Sequence, residues 1–450
     1  MQFKETTNQP WPDFFPSSSS SSSSSKSHQL NNLSINSTAC MEQLLAHCAH
    51  AIDSHDATLA QQLLWVLHNI APPDGDTNQR LTSAFLRALL LRASRSSCPA
   101  LSSINHSPPS HLPLSATSLA AFIDLTPCHR FGFSAANSAI AEATDSFPIL
   151  HIVDLSTTHG MQLPTLIETL AARRPESPPF LRVTIPSLPP DTSPPPALEI
   201  PLQELGARLV NFARSRNLAM EFNIVQSTPA DGFSSLIEHL RLQQLVAEPG
   251  AEALVINSHF MLHFTPDESS APPNISQSHS NIVPRTMFLN ALRGLDPTIL
   301  IVVEEDADFT ACNVVERLRA AFNYMWIPFD AVDSFLPKGG EQRRRYEEAI
   351  CWKIENAIAQ EGLERVERLE TRSKWVQRMK GVGFRGVGFG EEAVGELKSM
   401  VDEHSAGWGV KKDEEEILVL TWKGHDVLFA SAWMPAPPPP PLPAPAPLIL

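Results

Sequence analysis

Between Ile149 and Trp326 the chain alternates five times between a short apolar run and a longer amphipathic stretch. The series reads ILHIV then LPTLIETLAARR, FLRVTI then LQELGARLVNFARSR, and LAMEFNIV then SSLIEHLRLQQLV. ALVIN then PRTMFLNALRGL and TILIVVEE then VVERLRAAFNYMW complete it. A strand that is apolar on both faces must be covered on both, and the intervening amphipathic stretches supply that cover. The pattern predicts an α/β fold around a mostly parallel sheet. Near the C-terminus ILVLTW and VLFASAW bracket KGHD, a hairpin signal that gives the sheet an antiparallel end.

The section before this series is helical. MEQLLAHCAHAI puts Leu45, Cys48 and Ile52 on one face, and ATLAQQLLWVLHNIA repeats the spacing with Leu59, Leu63, Val66 and Ile70. GDTNQRLTSAFLRALLLRAS adds Leu81, Phe85 and Leu89. Leu45, Ile52, Leu59 and Val66 fall seven apart like a zipper, but DSHD interrupts the run and Asp56 reads as an N-cap. Two antiparallel helices are therefore expected. Leu86 to Leu90 spell an L-x-x-L-L box whose leucines are expected in the core. FGFSAANSAIAEAT reads as one more helix, leading into the first strand.

Residues 1–38, with nine consecutive serines from Ser17 to Ser25, hold too little apolar surface to offset ordering entropy and are expected to be disordered. Residues 435–450 read as a polyproline II tail, the segment near 96–114 as a loop, and 186–201 and 265–283 as surface excursions. A formal net charge of −15 argues against coating nucleic acid by bulk charge. The six scattered cysteines make no C-x-x-C pair, and no apolar run reaches the roughly 18 residues of a membrane span. A soluble intracellular protein, away from membranes, is the expectation.

LHIVDLSTTHGMQ, at the first strand, has the strand–acid–loop–helix order in which many nucleotide and S-adenosylmethionine sites begin. Such a site needs glycines after the first strand, for close backbone approach, and a carboxylate at the tip of the second for ribose hydroxyls. The loop keeps only Gly160, and FLRVTI runs into Pro186 and Ser187 with no acid before Asp191. No cofactor is therefore expected. Asp154 is assigned to bonding loop amides or capping the next helix, and His151 to a satisfied core position rather than a metal site. Glu304, Glu305, Asp306 and Asp308 in VVEEDAD read as a solvated strand tip.

Together these segments resemble the GRAS family of plant regulators, the SCARECROW-like proteins, over roughly residues 41–433. LHIVD (Leu150, His151, Ile152, Val153, Asp154) resembles its VHIID motif. The early helices resemble the first leucine-rich region, and the stretch leading to ALVINSHFMLHF the second. Pro297, Phe322, Tyr324, Arg368 and Glu370 match the PFYRE region, and Trp408, Gly409, Trp422, Ser431, Ala432 and Trp433 the SAW region. ERLE departs from the pattern with Leu369 where a histidine is common. On this resemblance residues 39–148 form a helical cap, and 149–265 carry the VHIID motif and second leucine-rich region. Residues 266–370 then carry PFYRE and 371–434 SAW, making one GRAS domain over 39–434.

The resemblance implies a Rossmann-like, methyltransferase-like core under an N-terminal α-helical cap. It implies a nuclear, non-enzymatic transcription regulator that pairs with DNA-binding transcription factors and other GRAS proteins. Direct DNA contact has one candidate surface, the acid-free stretch Thr371 to Phe389 with Arg372, Lys374, Arg378, Lys380 and Arg385, interleaved with Trp375 and Phe384. An ordinary basic helix face with Trp375 turned inward reads equally well. Arg343 to Arg345 is a short candidate for nuclear import. Two rivals share the scaffold: an S-adenosylmethionine-dependent methyltransferase, opposed by the missing glycines and carboxylate, and a small-molecule receptor.

Overall fold

Alternation along each central strand divides its side chains between two cores, which fixes a three-layer architecture. Along β1 (Ile149–Ser156), Leu150 and Ile152 enter one core while Val153 and Leu155 enter the other. Ile299, Ile301 and Val303 of β5 (Ile299–Glu305) join the first, and Leu300 and Val302 the second. The computed structural model describes residues 38–97, 113–189, 196–246, 248, 250–270, 282–413 and 415–437. The Ser-rich start, nearly all of the 96–114 loop, the middle of both insertions and the Pro-rich tail after 437 lie outside the described residues.

The remaining strands are β2 (Phe180–Ser187), β3 (Met220–Gln226), β4 (Glu252–His259), β6 (Phe384–Val387), β7 (Trp408–Lys412), β8 (Leu418–Trp422) and β9 (His425–Pro435). They form a nine-stranded sheet ordered β3-β2-β1-β4-β5-β9-β8-β7, with β6 also paired to β9. The five strands from β3 to β5 run parallel, and β9 returns antiparallel to β5. The predicted hairpin is present: Trp422 faces His425 across Lys423 and Gly424, whose φ angles of 49° and 87° match a type I′ turn. One expectation needs correction. β3 stands at the sheet edge and none of its residues is fully buried, because it has a neighbour on one side only.

The first core face carries α5 (Cys128–Ala143), α6 (Leu163–Arg173), α7 (Leu202–Ser215), α10 (Val314–Asp333), α11 (Glu341–Ala359) and α13 (Glu391–Asp402). The second carries α8 (Ser234–Val246), α9 (Arg285–Arg293) and α12 (Arg372–Gly381). A short α4 (Ala116–Ile123) precedes α5. The N-terminal helices α1 (Thr38–Asp53) and α3 (Thr77–Ser97) pack on α10 and α11 as a cap, with α2 (Ala57–Ile70) lying against α1 and α3. Asp56 accepts the Leu59 amide as the N-cap of α2, so the zipper spacing is broken as expected.

Two details of the cap differ from the sequence reading. α2 buries Ala60 and Leu67 rather than Val66, since it touches the rest of the cap through a narrow stripe. In the L-x-x-L-L box Leu86 and Leu89 are core, whereas Leu90, at the edge of that buried face, is 48% exposed. Gly132 lets α5 lie close over the sheet, because a Cβ there would come within 2.2 Å of His259 Cε1.

Candidate functional site

Sheet order reverses between β1 and β4, and in open α/β sheets the crevice beyond the carboxyl ends of such strands is where ligands bind. Two sets of residues meet in and around that crevice. The first surrounds Asp154, which is 1% exposed. Its carboxylate accepts from Asn257 Nδ2 at 3.0 Å and from the Ser156 hydroxyl at 3.1 Å. Asn257 also donates to Gln162 Oε1, Gln162 to Asn137 Oδ1, and Asn137 to Thr165 Oγ1. This amide chain ties α5 and α6 to β1 and β4. It also corrects the sequence reading, because α6 starts at Gln162 without a side-chain cap and Asp154 bonds side chains rather than loop amides. His151 is the satisfied core residue expected, 2.8 Å from Thr184 Oγ1 and 3.2 Å from Glu252.

Burial pushes the Asp154 carboxyl up to about 6, and its two donors only partly oppose the shift. A carboxyl whose folded pKa exceeds its unfolded value stabilises the fold less as pH rises, until ionisation in the folded state is complete. Asp154→Asn is therefore expected to gain on the parent as pH rises from about 4 to 6, by up to about 3 kcal/mol, and to hold that gain above. Urea unfolding of both proteins across that range measures it. A difference that does not change with pH would rule the coupling out.

The loop after β1 does not fit S-adenosylmethionine. Its polar groups are engaged internally: the Thr157 amide donates to the His259 carbonyl, the Thr158 hydroxyl to Ser156, and His159 Nε2 lies 3.1 Å from the Pro196 carbonyl. β2 ends at Ser187 and offers no carboxylate for a ribose.

The second set is a buried ion cluster at the tip of β5. Glu304 accepts from the Leu262 amide and sits 2.6 Å from His263 Nδ1, and both side chains are buried. His263 Nε2 lies 3.4 Å from Glu367, and Lys353 bridges Glu305 and Glu367. Burial alone would lower the imidazole pKa, but Glu304 and Glu367 outweigh it and push His263 up to about 9. Asp306 pairs with Arg372 and Asp308 with Lys374. The expected solvated strand tip is thus a largely buried, ion-paired network, because helices from distant parts of the chain close over it.

The PFYRE-like residues are structural joints. Pro297 is buried just before β5, and Phe322 meets Phe85 of the cap edge to face at 5.4 Å. The Tyr324 hydroxyl reaches Glu305 and the Val427 carbonyl. Arg368 donates to both oxygens of Asp267, and Glu370 stands between Arg285 and Arg378. In the SAW-like region Trp408 and Trp422 pack at 4.8 Å, the Trp422 indole donates to Asp330, and Thr421 donates to the Gly409 carbonyl. Ser431, Ala432 and Trp433 are buried on β9, with the Trp433 indole donating to Ser431 at 2.9 Å.

The acid-free stretch is not acid-free in space. Arg372 meets Asp306, Asp413 and Asp426, and Lys374 meets Asp308. Arg378 meets Glu268 and Glu370, and Lys380 meets Glu415. Arg385 is exposed on β6 and has no carboxylate partner within 4.0 Å among the described residues. Trp375 and Phe384 are buried, the bland alternative for this helix. Arg343 is buried against Asp333 and Glu347, while Arg344 and Arg345 pair with Glu341, so Arg343 to Arg345 is not an open basic cluster. Sequence reasoning missed Arg285, His263, Lys353, Glu367 and Asn257. The signal for Asn257 and His263 was a polar residue inside an otherwise apolar segment, whereas Glu367 stands in a charged run that gives none.

Comparison with known proteins agrees with this architecture. A family model described as the GRAS domain family matches residues 41–434. Scarecrow-like protein 32 of Arabidopsis thaliana is 54% identical over 399 residues, covering 88% of this chain and 93% of its own length. Protein SHORT-ROOT of Arabidopsis thaliana is 28% identical over 407 residues, covering 88% of this chain and 73% of its own. Protein NODULATION SIGNALING PATHWAY 1 of Lotus japonicus is 30% identical over 410 residues, covering 87% and 70%. The crystal structure of SCL7 in Oryza sativa shares the fold with a TM-score of 0.68 at 24% identity, over 87% of this chain and 99% of that one. With the VHIID-like strand at the centre of the sheet, the SAW-like strand beside β5 and the helical cap in place, the chain is a member of the GRAS domain family, alongside plant developmental regulators.

Proposed function

We propose that the protein is a nuclear transcription regulator that acts as an adaptor, recruiting a DNA-binding transcription factor or another GRAS protein and touching DNA weakly at most. Family membership supports the regulatory role. The observation that carries the adaptor role is the ion pairing of Arg372, Lys374, Arg378 and Lys380. A cation already neutralised by a carboxylate releases few counterions from a phosphate backbone. The helical cap supports a protein partner, since Trp65 on α2 is 60% exposed and Leu90 on α3 is 48% exposed.

The test is fluorescence anisotropy of the full chain on promoter and random duplexes over a salt series. Each phosphate neutralised adds roughly 0.9 to the logarithmic salt slope, so contact through Arg385, the one unpaired cation of the 371–389 stretch among the described residues, predicts a slope of about 1. Binding is expected to be nonspecific and to gain sequence preference only when a transcription-factor partner is added. Nanomolar, sequence-selective binding by the protein alone, lost in Lys380→Glu/Arg385→Glu, would make it a direct reader. Arg378 is unsuitable for that test because Glu268 and Glu370 depend on it.

A further inference from the structure

A cavity of about 150 Å³ opens beyond the carboxyl ends of β1, β4 and β5, between α5, α10 and α11. Phe122, Phe260, Phe264 and Met325 give it an apolar wall. On the opposite chemistry, Glu305, Lys353, His263 and Glu367 also line it. A cavity of this size holds a single six-membered ring with a short substituent.

Glu367 is the residue that the fold leaves incomplete. It is fully buried, and neither carboxylate oxygen accepts a hydrogen bond among the described residues. His263 Nε2, 3.4 Å from Oε2, is itself without a hydrogen-bond partner, and Lys353 Nζ is 3.9 Å away. A buried carboxylate normally accepts several hydrogen bonds, and leaving it short is costly. Charge points the same way. Glu304, Glu305 and Glu367 face one ammonium, Lys353, and one imidazolium, His263, so one negative charge stays uncompensated. His129, which also lines the cavity, adds no cation, because burial lowers its pKa to about 4.

From this geometry we infer that the cavity is a binding site for a small single-ring molecule bearing a cationic amine, its ring against Phe122, Phe260 and Phe264 and its ammonium donating to Glu367. Such a ligand supplies the missing donors and the missing positive charge together, while its ring fills the apolar remainder. An anionic ligand of the same size would meet the uncompensated carboxylate and be rejected. The site does not depend on the adaptor reading, which concerns other surfaces.

The probes are benzylamine, toluene and benzoate, each titrated into the full chain and followed by thermal melting and isothermal calorimetry. Benzylamine is expected to raise the melting temperature saturably and to bind at least about ten-fold tighter than toluene, with benzoate inert. Glu367→Gln should bring benzylamine down to the level of toluene. Ala349 also lines the cavity from α11, so Ala349→Phe should fill it and remove both signals without touching the ion cluster. If Glu367→Gln does not fold, Ala349→Phe decides. Benzylamine that shows no saturable binding up to the millimolar range, binds no better than benzoate, or still binds Ala349→Phe would overturn the inference.

Discussion

Replacing Arg285 with methionine is expected to lower the unfolding free energy by about 3–5 kcal/mol, the cost of breaking a buried ion pair from one side. The side chain is fully buried. Its Nη1 lies 3.0 Å from Glu370, and Nη2 donates to the carbonyls of His263, Thr265 and Arg368 at 3.0 to 3.1 Å. The guanidinium also stacks 5.0 Å from the Trp375 ring. Methionine fills the volume but donates nothing, so three carbonyls lose their donor and Glu370 keeps only Arg378. Lysine cannot substitute, because one ammonium cannot span carbonyls that the planar guanidinium reaches together. Urea denaturation of both variants measures the cost. A loss below about 1 kcal/mol would mean that the cluster relaxes or hydrates at little expense. The consequence for function is local, because Arg285 joins α9 to the segment that leads into α12. Its loss should release the basic helix before the cap or the parallel sheet unfolds.

Trp433→Ala is expected to cost about as much, 3–5 kcal/mol, for a different reason. The indole is 2% exposed in the second core, its strand position lies between Leu300 of β5 and Gly386 of β6, and its N–H is satisfied by Ser431. Truncation leaves a cavity at the point where β9 joins the parallel and antiparallel parts of the sheet. Melting temperature and partner binding should fall together. A variant that melts like the parent yet fails to bind a partner would show that the residue belongs to an interface.

Several features of the fold were legible in the sequence because they are local. Apolar runs spaced by amphipathic stretches dictate strands covered on both faces, and the five parallel strands follow. Asp56 could be assigned as a cap because it stands one residue before the helix it serves. His151 is legible as a core position because Leu150 and Ile152 flank it in a short apolar run. What the sequence could not give were groups whose meaning lies in a partner far along the chain. Arg378 sits in a stretch without acids, but its carboxylates, Glu268 and Glu370, come from before α9 and before α12. Glu304 and Glu305 adjoin in sequence yet point to opposite faces of β5, one to His263 and the other to Lys353 on α11. Charge in sequence is additive and without direction, whereas pairing falls off within a few ångströms. The sequence by itself determined the α/β sheet, the helical cap and the loss of a dinucleotide-type loop. Only the tertiary structure decided that the basic stretch is neutralised and that Glu367 is buried without a donor, because both depend on which distant residues close packing brings within hydrogen-bond range.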